Sequence, residues 1–108
     1  MEFTVKTPYG YYSNCHLSVG EYANNGHISI SIWSSEEGPI ADITVNVFGI
    51  DVTPQNFSCV DTNNCPWATK LIEELNIGIP VGAGLGSGFC VYPVYKFDRK
   101  AIEKYMGG

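Results

Sequence analysis

The sequence predicts an α+β fold in which an antiparallel sheet of about five strands carries one or two packed helices. The first half of the chain alternates apolar and polar residues between short turn signals, a pattern typical of hairpin strands with one face in water. The second half contains an apolar repeat at helical spacing, with residues suited to capping at both of its ends.

The first two strands are predicted to form a hairpin. Phe3 and Val5 alternate with polar neighbours, and Pro8 lies in a turn that ends at Gly10. A second extended run continues from there to Val19. Because a tight turn joins the two runs, we expect them to pair antiparallel.

The next two strands continue this meander. Asn25-Gly26 predicts a tight turn, because these residue types tolerate positive φ, and isoleucines then alternate with serines over residues 28–32. After a further turn at 34–39, residues 41–47 alternate again and are predicted to form one strand.

The second half opens with a predicted helix over residues 66–76. Apolar residues recur at helical spacing from Trp67 to Leu75, and Asn76 suits the left-handed end of a helix. The glycine-dense segment 82–88 lacks the lysine of a phosphate-binding loop, so we expect a mobile connection there.

A last strand and a short helix complete the predicted fold. Residues 89–97 are rich in aromatic and β-branched types, and Pro93 favours a place at the sheet edge because proline cannot donate a ladder hydrogen bond. Asp98 is suited to capping the final helix.

Length and composition predict a single domain over residues 1–108. Hydrophobic residues make up 44% of the sequence and charged residues 16%, a balance that supports a folded core. The first residues lack the pattern of a secretory signal, and no apolar run approaches the length of a membrane span. These features predict a cytoplasmic protein, with no membrane partner, whose cysteines are reduced.

The charge distribution bears on possible partners. The net charge is −5, and residues 1–54 carry all of it. Direct nucleic-acid binding is disfavoured, because it needs a large basic surface. An acidic surface would instead suit a basic protein. The candidate partner-binding residues are Glu21, Glu36, Glu37, Asp42 and Asp51.

The four cysteines, Cys15, Cys59, Cys65 and Cys90, are candidate zinc ligands, because zinc takes four such ligands in a tetrahedron. None of their spacings is the CxxC of a zinc knuckle, so a site would have to be assembled from distant strands and loops. The alternative, in which they are small buried hydrophobes, stays open.

A cysteine-dependent enzyme is a second hypothesis. Cys65 lies where the predicted helix begins, and the positive end of a helix can lower the pKa of a thiol. Catalysis would also need a base, and the two histidines, His16 and His27, lie in predicted hairpin segments. No cysteine-hydrolase signature surrounds Cys65, so the sequence favours a non-catalytic protein.

Three stretches resemble a known family: ITVNV at 43–47, VDTNNCPW at 60–67 and SGFCVYPVYKFD at 87–98. They are similar to small proteins of unknown function encoded on conjugative elements, plasmids and phages of Gram-positive and gut bacteria. The similarity covers nearly the whole chain. That family has no assigned active site, so the resemblance transfers no catalytic residue.

The resemblance implies a mobile element inside a bacterial host cell, a setting in which short acidic proteins without catalytic motifs are frequently inhibitors of host defence. The sharpest expectation is an anti-CRISPR protein that binds an RNA-guided type II effector nuclease and blocks nucleic-acid loading or cleavage. The same setting would suit an accessory protein of element transfer, and the sequence does not separate the two.

Overall fold

The computed structural model describes residues 1–47 and 55–107. Within those residues, eight strands form two four-stranded antiparallel sheets, and two short helices accompany them. The predicted α+β class is confirmed, although the strands are more numerous than expected and divide between two sheets.

The first sheet is a meander in the order β1-β2-β3-β4. Its strands are β1 (Phe3–Thr7), β2 (Gly10–Glu21), β3 (Ile28–Ser34) and β4 (Gly38–Asp42). Consecutive strands pair antiparallel, as predicted. Gly26, in the turn between β2 and β3, has φ 73°, the conformation for which glycine is suited. The alternation in β3 buries its three isoleucines and leaves two serines half-buried.

The chain crosses to the second sheet at Ile43. The prediction of one strand over 41–47 is wrong, because the first residues of this segment pair with β3 whereas β5 (Thr44–Val45) pairs with a strand of the second sheet. The N–H of Ile43 donates to the carbonyl of Ile30 at 3.0 Å, and its own carbonyl accepts from the N–H of Asp61 at 2.9 Å. Ile43 therefore joins the two sheets through its backbone.

The second sheet has the order β5-β6-β8-β7. Its other strands are β6 (Phe57–Val60), β7 (Gly78–Ser87) and β8 (Cys90–Phe97). The prediction of a mobile loop at 82–88 is wrong, since most of that segment belongs to β7 and pairs with β8. Glycines carry no side-chain pattern, but their backbone groups pair like any others.

The last strand was also predicted at a sheet edge, and this too is wrong, because β8 lies between β6 and β7. Pro93 is tolerated there because β6 pairs only with residues 94–96, so no hydrogen bond to β6 is lost at the proline.

Helix α1 (Ala68–Leu75) and helix α2 (Arg99–Glu103) lie where the sequence places them. Asn76 ends α1 with φ 55°, and the Asp98 carboxylate caps α2 by accepting from two backbone N–H groups. Among the described residues, neither helix is long and apolar enough to cross a membrane.

One apolar core joins both sheets and both helices. Its members include Leu17, Ile32, Val60, Phe97, Ile72 and Ile102.

Candidate protein-binding site

The four cysteines are free thiols in separate parts of the fold. Cys15 lies in β2, Cys59 in β6, Cys65 between β6 and α1, and Cys90 at the start of β8. Among residues 1–47 and 55–107, no three His, Cys, Asp or Glu side chains form a group that could hold a metal ion. The cysteines therefore do not fit a preformed zinc site, and zinc binding stays a prediction.

Cys65 has the environment of a core thiol. Only 4% of its surface is exposed, and its Sγ donates to the carbonyl of Asp42 at 3.6 Å. Burial, with smaller contributions from the carboxylates of Asp61 and Asp42, raises its pKa from 9.0 to about 11. Helix α1 begins only at Ala68, so its first turn does not include the thiol. A protonated, buried thiol is a poor nucleophile, which counts against the cysteine-enzyme hypothesis.

Three of the candidate acidic residues, Glu21, Asp42 and Glu36, are engaged within the molecule. Glu21, at the end of β2, forms an ion pair with Arg99 at 3.6 Å. Asp42, at the end of β4, accepts a hydrogen bond from Ser31 at 2.7 Å. Asp51 lies outside the described residues.

Glu36 and Glu37 lie together in the turn between β3 and β4, at the end of β3 opposite to Glu21. The buried hydroxyl of Ser34 accepts from the N–H groups of both glutamates, at 3.2 and 3.3 Å, and donates to the carbonyl of Ser13 at 3.0 Å. The Glu36 carboxylate itself accepts from the side-chain amide of Asn14 at 2.6 Å. The turn and one of its two exposed carboxylates are therefore held in place, which leaves little ordering to complete on binding.

A third carboxylate, that of Glu2, lies at the same end of the sheet. Its Oε2 accepts from the hydroxyl of Ser35 at 3.2 Å. Burial raises the pKa of Cys15 above its ordinary value, and the charges of Glu37 and Glu2 raise it further. The negative potential of this cluster therefore extends to the core beneath it.

Trp33 lies on the outer face of the first sheet, next in the chain to the end of β3 and the β3–β4 turn. It is 40% exposed and stands opposite His16 across the β2–β3 ladder. A groove of about 450 Å³ runs next to it, which we call the Trp33 groove. The groove is lined by Met1, Glu2, His16, Leu17, Ser18, Val19, Trp33, Ser35, Met106 and Gly107.

Both ends of the described chain form the wall of the Trp33 groove. The amino group of Met1 donates to the carbonyl of Lys104 at 2.8 Å. The N–H of Leu17 donates to the carbonyl of Tyr105 at 2.7 Å, and Met106 forms a parallel bridge with Leu17. A Cβ at Gly107 would lie 2.7 Å from Cδ2 of His16, so glycine is the residue type that fits against this ring.

The sequence pattern of β3 predicts that Trp33 is exposed, which the acidic residues alone do not indicate. In the alternation of β3, isoleucines occupy the core positions, and Trp33 follows the serines on the outer positions. A tryptophan at an outer position of the alternation is expected to be exposed, and tryptophan is enriched among the residues that dominate interface energies.

The two sheets around one core, with two short helices, define a small α+β protein, and its partly exposed Trp33 lines a groove together with Glu2. Residues 16–107 match the model of the family DUF4313, a domain of unknown function, and the chain belongs to that family. No curated protein and no solved structure matches the chain. Membership of a family without assigned function is what the resemblance led us to expect.

Proposed function

We propose that this protein is non-catalytic and acts by stoichiometric binding to a basic protein surface through the Trp33 groove. The observation that supports this most strongly is the position of Trp33, which is partly exposed in a groove that Glu2 also lines, at the end of β3 that leads into the turn of Glu36 and Glu37. Tryptophan is among the residue types that dominate interface energies, and carboxylates around it would attract and orient basic groups.

An arginine side chain is the group best suited to this combination. Its guanidinium can stack on an aromatic face and at the same time donate two N–H hydrogen bonds to a carboxylate. Trp33 offers the aromatic face, and Glu2 with the β3–β4 turn offers the carboxylates. A partner with clustered arginines on an exposed channel would therefore be recognised.

The partner that we propose is an RNA-guided type II effector nuclease. Such nucleases hold nucleic acid in a positively charged channel, and a protein bound there would block guide or target loading. The resemblance to proteins of mobile elements supports an anti-CRISPR role in the bacterial cytoplasm. A relaxase or regulator of element transfer is the competing partner, since it too would present a basic surface.

The first experiment combines native mass spectrometry of mixtures with a target-cleavage titration. We expect a complex of fixed stoichiometry, and cleavage that stops at that same molar ratio. Raising the salt from about 50 mM to about 300 mM should weaken the complex, because exposed opposite charges are screened. Full cleavage and no complex with any type II nuclease at low salt would refute the nuclease as partner. A complex with a relaxase alone would favour element transfer.

Matched variants test whether the β3–β4 turn next to the Trp33 groove belongs to the surface involved. Glu36→Gln with Glu37→Gln should weaken the complex, whereas Glu73→Gln with Glu74→Gln removes the same charge from exposed positions on α1 and should not. Equal effects of the two double variants would show that only net charge matters.

Trp33→Ala should weaken binding at least about tenfold, as expected of an aromatic anchor. Tyr9→Ala is its control, because Tyr9 is 91% exposed in the turn between β1 and β2. If both variants bind like the unchanged protein, the Trp33 groove is not the interface.

A further inference from the structure

The free edge of β7 differs from the other sheet edges of the described residues. Natural proteins protect edge strands with charged residues, prolines or short length. Strand β1 carries Lys6, strand β4 carries Pro39 and Asp42, and β5 is only two residues long. Strand β7 has ten residues and no charge, and its one proline, Pro80, lies near its base. Residues 76–95 contain no charged side chain at all.

The hairpin formed by β7 and β8 also exposes apolar side chains. Phe89, in the turn between the strands, is fully exposed, and Val91 is 70% exposed. Ile79, near the base of the hairpin, is largely exposed as well. Apolar groups concentrated on one element are typical of a surface that another molecule covers.

The half of the hairpin next to its turn combines the exposed Phe89 ring with a shallow strip of backbone at Gly84 and Gly86. Gly84 and Gly86 have no side chains, and a Cβ at Gly86 would meet nothing nearer than the carbonyl of Cys90 at 3.9 Å. Val91 lies over Gly84, since a Cβ there would be 2.9 Å from its Cγ1. Phe89 projects just beyond this strip. A two-fold contact requires a patch that is complementary to itself, and this patch holds both the exposed Phe89 ring and, over Gly86, open space to receive one.

A bulge limits the free edge. The register between β7 and β8 shifts between Pro80 and Gly84, and Pro80 has no N–H to offer. The regular part of the edge is therefore 84–87, which is enough to set a register but too short for a strong interface on its own. Contact by Phe89 would have to complete it.

We propose that a second copy of this chain binds the hairpin, with the two β7 strands pairing antiparallel about a two-fold axis and each Phe89 packing on the glycine strip of the other copy. The distribution of charge favours a second copy as the occupant. Two copies that each carry a net charge of −5 repel one another. The uncharged segment 76–95 is a surface where they can meet without bringing like charges together. A basic partner would gain no electrostatic attraction there.

Sedimentation equilibrium over a range of protein concentrations tests the proposal. We expect a reversible dimer that becomes tighter as salt increases, because salt screens the repulsion between acidic copies. This dependence is opposite to that expected for the Trp33 groove, so the two proposals can fail independently.

Phe89→Ser should raise the dimer dissociation constant at least about tenfold. Gly86→Lys should have a similar effect by placing a charge on the free edge. Tyr9→Ser is the control, because it removes an equally exposed aromatic ring from the other hairpin turn. Because the Phe89 ring lies in solvent in the monomer, Phe89→Ser should leave thermal melting unchanged at concentrations where the protein is monomeric.

Three results would overturn the proposal. The first is a protein that stays monomeric at every concentration and salt. The second is a dimer that persists in both hairpin variants. The third is a monomer that binds phosphatidylcholine vesicles through Phe89, which would assign the hairpin to a lipid surface.

Discussion

The hydroxyl of Thr44 accepts a hydrogen bond from a backbone N–H of β3 at the point where the chain crosses between the sheets. The chain leaves the first sheet at Ile43, and the N–H of Ile30 then donates to Oγ1 of the buried Thr44 at 3.0 Å. The same hydroxyl is 2.9 Å from the hydroxyl of Tyr22. Thr44→Val keeps the shape of the side chain but removes the acceptor, so the N–H of Ile30 would lose its partner.

The expected cost follows from the burial of that donor. An unsatisfied buried N–H costs about 1–3 kcal/mol, whereas the half-buried hydroxyl of Tyr22 can turn toward water. We therefore expect Thr44→Val to lower the free energy of unfolding by about 2 kcal/mol. For a domain of this size that corresponds to a fall in Tm of about 10 °C.

Urea and thermal unfolding followed by circular dichroism measure this effect. Thr44→Ser is the control, since it keeps the hydroxyl and loses one methyl group, at a cost of about 1 kcal/mol. Tyr22→Phe, combined with Thr44→Val, isolates the contribution of the Tyr22 contact. If Thr44→Val is as stable as Thr44→Ser, the bond to Ile30 does not hold the crossover together.

Three further predictions concern the thiols and a helix cap. In the folded protein a thiol reagent should modify the partly exposed Cys90 first, while Cys59 and Cys65 react only after unfolding, as mass spectrometry of the labelled protein would report. Burial raises the pKa of each of these two thiols from 9.0 to about 11, so the folded state favours their protonated form. Their contribution to stability is complete below about pH 9 and is lost as the pH rises toward about 11; thermal melts across that range should show the decline, and a flat profile would contradict it. Asp98→Ala should lower the free energy of unfolding by about 1 kcal/mol by removing the cap of α2, and an unchanged urea midpoint would show the cap to be dispensable.

The elements that could be predicted from sequence are those whose signal is local. The alternation of residues 28–32 and the helix-ending Asn76 each depend on neighbours in the chain, and both are confirmed. A turn with Gly26 at positive φ is confirmed as well, but the connection spans residues 22–27 and is longer than the tight turn predicted. The crossover at Ile43 was missed because alternation shows that a segment has two faces but not which sheet it joins. The glycine-dense part of β7 was missed because its pairing is determined by β8 and not by its own side chains.

The candidate site could be predicted only in part, because it depends on contacts between distant residues. The register that places Phe3 opposite Cys15, and Cys15 opposite Ser34, brings Glu2 next to the β3–β4 turn. No local pattern contains that relation. The exposure of Trp33, in contrast, could have been predicted from the alternation of β3 alone.

The meeting of Met1 with the C-terminal segment at the Trp33 groove has a practical consequence. A bait peptide or fluorescent protein fused before Met1 would replace the ammonium group that binds the carbonyl of Lys104. One fused after the chain would emerge close to Gly107, beside the ring of His16. Fusions at either end would therefore obstruct the surface proposed for the partner. Capture screens should instead use a label attached through Cys90, which lies on the hairpin of the other sheet.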